Sequence, residues 1–274
     1  MTDLPDPPSP QARQAGEAFA RLIDIMEALR TPETGCPWDL AQDFSTIAPY
    51  TIEEAYEVAD AIQQSSMTQL RDELGDLLFQ VAFHSQMARE DGHFSAADVA
   101  DGIAAKMVRR HPHVFAQSDG RDAHDQTVAW EEMKAAERAE RGQASSLLDD
   151  VALALPALMR AEKLQKRAAR AGFDWTTPEP IFDKLDEEIG EVKAALESGD
   201  PDAVEDEMGD LLFVCANLAR RLRIDPEVAL RRANAKFERR FRAMEALAAS
   251  RSDDFSDLSL DQQEDLWKEV KAGE

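Results

Sequence analysis

The chain has 274 residues, 55 acidic against 31 basic side chains, and a net charge of −24. That balance excludes a nucleic-acid-binding surface, which needs a basic stripe to neutralise phosphates. With only Cys36 and Cys215 a disulfide framework is excluded too, and with no signal peptide or membrane span visible a cytoplasmic protein is expected.

In chain order, the opening MTDLPDPPSP is Pro-rich and acidic without an apolar core, so residues 1–15 read as a disordered tail. From there on, alternating Val/Ile/Thr runs of strand type are missing, and many of the Gly and Pro residues fall at the ends of periodic segments. An all-α protein follows, with a first domain over residues 16–140.

The first informative helix carries Glu54 and Glu57, and the next carries Glu73 and Asp76. Residues three apart project from one helix face, so each pair is a two-pronged ligand. Beside them run apolar stripes at matching offsets: Ala55, Val58, Ala59 and Ile62, then Leu74, Leu77, Leu78 and Val81. Both helices are expected to bury that side. The polar run Gln63-Gln64-Ser65-Ser66 lies midway between the pairs, so an antiparallel hairpin turning there brings the four carboxylates to one level. Gly75 in mid-helix costs about 1 kcal/mol relative to Ala, which suggests a close approach by another helix. A bland alternative makes Thr51-x-x-Glu54 a capping box. Glu90 and His93 have the spacing of a di-iron motif, but Asp91-Gly92 between them signals a helix end.

Farther on, Lys106 and Arg110 form an i, i+4 basic pair able to clamp phosphate oxygens, or to bridge to acidic neighbours. His111-Pro112-His113 reads as a helix-ending turn rather than a metal site. Trp130 and Lys134 pair an aromatic face with an ammonium, which suits a base and its phosphates as well as helix packing. Residues 141–155 form the linker, and Leu155-Pro156 opens the second domain, 156–274.

That domain repeats the first. Glu188, Glu191, Glu207 and Asp210 each lie 134 residues after their counterparts, around the turn Ser198-Gly199-Asp200-Pro201, and Gly209 answers Gly75. Lys236 and Arg240 follow Lys106 and Arg110 by 130 residues, and Trp267 and Lys271 follow Trp130 and Lys134 by 137. Capping cannot account for the repetition, because Leu185 stands where Thr51 would be. Four converging carboxylates need a cation, and an all-oxygen set suits Mg²⁺, with Mn²⁺ as a substitute, rather than zinc. Acidic quartet, basic clamp and aromatic platform together suit a magnesium-bound nucleotide.

These residues carry a resemblance that covers nearly everything after the tail. GCPWD, TIAPYTIEEAYEV, RDELGDLLFQ and RRHPHVF in the first half, and LPALMRAEKLQKRA, GFDWTT, EEIGEV, DEMGDLLF and KFERRF in the second, closely resemble the MazG family of nucleoside triphosphate pyrophosphohydrolases in its two-domain form. The resemblance implies hairpins that pair across a homodimer into four-helix bundles, and Mg²⁺-dependent cleavage of NTP to NMP and pyrophosphate. It implies Glu188, Glu191, Glu207 and Asp210 as metal ligands, Lys184, Lys236 and Arg240 as phosphate contacts, and Trp267 near the nucleotide.

Tyr50 stands where the second half has Lys184, so weaker triphosphate binding is expected in the first half and the active site in the second. Glu188 and Glu191 are the candidate proton acceptors. Two other readings stay open: a catalytically silent nucleotide- or protein-binding dimer, and a narrow enzyme for dUTP or phosphoribosyl-ATP.

Overall fold

Ser9 caps the first helix through a hydrogen bond from the Ala12 amide, and Pro10 sits at its first position, where a missing N–H is harmless. Helix α1 therefore runs Pro10–Leu29, and residues 10–15 belong to it rather than to a disordered tail. The structure, a computed structural model, describes residues 8–115, 129, 133, 146–149 and 151–274. Among these there are helices and no strands. Trp130, Lys134 and residues 141–145 and 150 of the linker lie outside the described residues.

The chain divides into two units, Met1–Ala136 and Glu137–Glu274. In the first, α1 is followed by α2 (Pro37–Leu40), α3 (Phe44–Gln63), α4 (Met67–Glu90), α5 (Ala96–Arg110) and the one-turn α6 (Pro112–Phe115). Asp43 caps α3 in a capping box with Thr46, which places Thr51 inside the helix and removes it as a cap. Its hydroxyl instead meets His84 Nε2 at 3.0 Å. The turn between α3 and α4 puts Ser65 at φ 56°, and α4 packs along α3, α1 and α5.

The core of this unit is Met26, Ile47, Phe83 and Met87, with Phe79 against it. That is a different face of α4 from the stripe beside the carboxylates. Ile62, Leu74, Leu78 and Val81 stay exposed, Ile62 by 57% and Leu74 by 48%, so the expected burial of that side is not met among the described residues of this unit. Periodicity marks an apolar face, and α4 has two of them. Arg30 closes the other end of the unit. It donates to both carboxylate oxygens of Glu90 and to the carbonyls of Asp39 and Gln42, and lies 5.4 Å from the Phe83 ring centroid.

The second unit holds α7 (Ala157–Arg170), α8 (Glu179–Ser198), α9 (Pro201–Arg221), α10 (Pro226–Ser250), a 3₁₀ turn (Phe255–Asp257) and α11 (Leu260–Ala272). Between α8 and α9, Gly199 takes φ 73°, the left-handed conformation glycine tolerates, and Asp200 and Pro201 start the next helix. Helix α9 packs against α8 and α7, held in part by the Gln165 amide donating to the Phe213 carbonyl at 2.8 Å. Here too the stripe stays open, with Ile189, Leu196, Met208 and Leu212 exposed. A Cβ built on Gly75 or Gly209 would meet nothing within 4 Å. The close helix approach expected at these glycines is therefore absent among the described residues of each unit, because both sit among these open faces.

Candidate metal and phosphate site

The turns at Ser65 and Gly199 set the register of each hairpin, and the register sets the carboxylates. In the first unit, ligand oxygens of Glu54, Glu57 and Glu73 lie within 4.8 Å of one another. In the second, the corresponding group is Glu188, Glu207 and Asp210, also within 4.8 Å. The fourth members are close: Asp76 acts electrostatically on Glu54, and Glu191 is affected by Glu188 and Glu207.

Crowding leaves its mark on protonation. The Glu54 carboxyl is pushed up by desolvation, then by Asp76, Glu57 and Glu73. Glu73 is raised by desolvation and then by Glu57. Glu191 is raised by desolvation, drawn back by Lys184, and pushed up again by Glu188 and Glu207. Glu188 is only 3% exposed. At equivalent positions in the two halves, Glu54 Oε2 and Glu188 Oε2 are buried acceptors with no hydrogen-bond partner. Buried oxygens left without donors in an all-carboxylate cluster fit a hard divalent cation such as Mg²⁺.

Among the described residues, only the second unit places a cation on its carboxylates. Lys184 Nζ lies 2.7 Å from Glu188 Oε1, 2.8 Å from Glu187 Oε1 and 3.9 Å from Glu191 Oε2, and hydrogen bonds to Glu187 and Glu188 push its ammonium well above the usual lysine range. In the first unit, Tyr50 points its ring at Trp38, the centroids 6.1 Å apart at 74°. Glu187 was not foreseen as part of the site, although its position three residues after Lys184 was the available signal.

The basic and aromatic candidates lie on α10 and α11. Arg240 is paired with Glu274, its Nη2 donating at 2.6 Å and Nε at 3.0 Å to Oε2, and its guanidinium lies 5.3 Å from the Trp267 ring centroid. With Arg239 on its other oxygen, Glu274 is held down to about 2. Trp267 also packs on Met244, Ala248 and Leu266, so it is core and cation–π partner together. Lys236 and Lys271 are exposed, and Lys106 and Arg110 stand one turn apart on α5, both partly buried. Glu274 as the partner of Arg240, 34 residues away, had no local signal in the sequence.

The raised carboxyls fix the sign of a pH effect. Glu54, Glu73 and Glu191 hold protons to higher pH in the folded than in the unfolded chain, so their contribution to stability falls as pH rises through the window above 4.5. Glu274 works oppositely: its contribution is present above 4.5 and lost as pH falls towards about 2. A divalent ion that binds the ionised quartets offsets the first effect. The melting temperature with excess Mg²⁺ is therefore expected to exceed that in chelator by a margin that widens as pH rises from 4.5 to neutrality. At a hundredfold excess over Kd, linkage gives about 2.7 kcal/mol per site, and a margin independent of pH would contradict this origin.

The chain matches the family model described as the MazG nucleotide pyrophosphohydrolase domain twice, over residues 42–115 and 176–244. Each match spans one hairpin and its basic pair. It is 52% identical over 256 residues to a nucleoside triphosphate pyrophosphohydrolase of Escherichia coli K12, covering 93% of this chain and 97% of the relative. A nucleoside triphosphate pyrophosphohydrolase/pyrophosphatase MazG of Thermotoga maritima is 41% identical over 262 residues, 96% of this chain and 99% of the relative. The uncharacterized protein YabN of Bacillus subtilis is 40% identical over 275 residues, covering all of this chain and 56% of that longer protein.

Proposed function

This chain belongs to the MazG nucleotide pyrophosphohydrolase family, and on that premise we propose that it is a Mg²⁺-dependent enzyme that cleaves nucleoside triphosphates to monophosphate and pyrophosphate at the site in its second unit. The observation that carries this reading is the pairing of Glu188, buried with an oxygen lacking any donor, with Lys184 beside it. Among the described residues, only that half combines a carboxylate quartet with an adjacent ammonium.

Glu188, Glu191, Glu207 and Asp210 would hold the metal, with Mn²⁺ able to replace Mg²⁺. A bound divalent ion supplies an acidified water and neutralises the departing pyrophosphate. Glu191, exposed and raised above the ordinary carboxylate range, is the better placed proton acceptor, since Glu188 Oε1 is engaged by Lys184. Lys184, Lys236 and Arg240 bind phosphate oxygens. The Arg240 edge now held by Glu274 presents the donors a phosphate oxygen requires. Trp267 lies beside Arg240, within reach of the base or ribose end.

A second copy of the chain covers the open hairpin faces in this reading, and homodimerisation completes four-helix bundles from Leu74, Leu78, Met208 and Leu212 and their neighbours. No helix among the described residues is long and apolar enough to cross a membrane, and we place the enzyme in the cytoplasm.

Incubation with each nucleoside triphosphate and Mg²⁺ tests the assignment. Equimolar monophosphate and pyrophosphate from several bases is the expected outcome. Binding without release would make the chain a silent nucleotide-binding dimer, and turnover confined to dUTP or phosphoribosyl-ATP would make it a narrow enzyme.

A further inference from the structure

We propose that Lys184 is an internal counter-cation, which neutralises Glu188 in the metal-free site and is turned out onto the triphosphate when a divalent ion takes over that charge. The inference rests on the reading of Glu188, Glu191, Glu207 and Asp210 as metal ligands. It adds that the same side chain opposes bare-metal binding and supports nucleotide binding.

The geometry supports competition in three ways. Lys184 Nζ sits 2.7 Å from Glu188 Oε1 and 3.9 Å from Glu191 Oε2, two of the four expected ligands. A divalent ion on the same carboxylates at about 2.0–2.1 Å would stand within a few ångströms of the ammonium, where like charges repel strongly. Secondly, the Lys184 side chain is 31% exposed while Glu188 is 4%, so the lysine has solvent to move into and the carboxylate does not. A flexible four-carbon stem carrying a point charge is suited to such a swing.

The third support is internal to the chain. Tyr50 occupies the equivalent place in the first unit and packs on Trp38, and no ion pair is found on Glu54 among the described residues. The two quartets should therefore differ in kind. The first takes up a metal without competition and gains no phosphate contact by doing so. The second takes it up against Lys184, and the lysine released then favours a metal that arrives with triphosphate over a metal alone.

Calorimetric titration of the full-length chain with Mn²⁺ alone separates these behaviours, with one quartet silenced at a time. In an E57Q/E73Q background that leaves the second site intact, Lys184→Met is expected to tighten Mn²⁺ about tenfold, the order set by one screened unit charge, while raising KM for the Mg²⁺-nucleotide about tenfold. In an E191Q/E207Q background that leaves the first site intact, Tyr50→Lys is expected to weaken Mn²⁺ by a similar factor, a test that does not depend on the Lys184 variant folding. Unchanged or weaker Mn²⁺ binding in Lys184→Met, or unchanged binding in Tyr50→Lys, overturns the counter-cation. Absence of any Mn²⁺ uptake by the E57Q/E73Q parent instead overturns the metal reading itself, and this inference with it.

Discussion

Replacing Glu191 by Gln is expected to lower turnover about 10²–10⁴-fold, the range for loss of a positioned proton acceptor, while Glu57→Gln leaves most activity in place. The contrast follows from what surrounds two residues that hold the same place in the repeat. Glu191 is bordered by Glu188, Glu207 and the ammonium of Lys184. Glu57 belongs to a group with Glu54 and Glu73, and the residue one turn before Glu54 is an aromatic turned towards Trp38. Amide for carboxylate preserves the shape and removes the basic oxygen, so the measurement reads chemistry rather than folding. Steady-state pyrophosphate release decides it, and the opposite pattern would move the active site to the first unit.

The largest effect on stability is expected at Arg30. Arg30→Met should cost about 3 kcal/mol, the low end for breaking a buried ion pair, because Glu90 is one-third exposed and partly relieved by water. Arg30 itself is 9% exposed. Its loss leaves the Gln42 carbonyl and Glu90 Oε2 without that donor, takes one donor from the Asp39 carbonyl and removes the guanidinium from Phe83. The loop it secures is already tight, since a Cβ on Gly35 would come within 2.3 Å of the Leu29 carbonyl. Chemical denaturation followed by tryptophan fluorescence reports the change. A cost under about 1 kcal/mol would show that the loop is held mainly by the backbone bonds of Gly35 and Cys36 to Thr31 and Leu29.

The hairpins were legible because two periods coincide. Carboxylates three apart must share a helix face, and a turn midway between two such pairs must bring them level. Ser65 and Gly199 lie in those turns. Lys184 entered through the family resemblance, and its engagement by Glu187 and Glu188 is a competition among charges that spacing alone cannot rank. Arg30 was illegible for another reason: its partners are a carboxylate 60 residues away and two backbone carbonyls, which leave no mark in the sequence. The stripe along Leu74, Leu78 and Val81 was read as buried because hydrophobic periodicity shows that a face wants cover without saying what covers it. At the start of the chain, composition outweighed a stronger local signal, as Ser9-Pro10 is a helix opening whatever precedes it.

The open faces on α4, α8 and α9 sit in a chain carrying a charge of −24. Mutual repulsion between copies opposes the contact that those greasy faces favour, and its reach shrinks from about 30 Å at 0.01 M to about 3 Å at 1 M ionic strength. Ionic strength thus sets the balance between the two forces: brine should draw copies together, whereas dilute buffer should hold them apart.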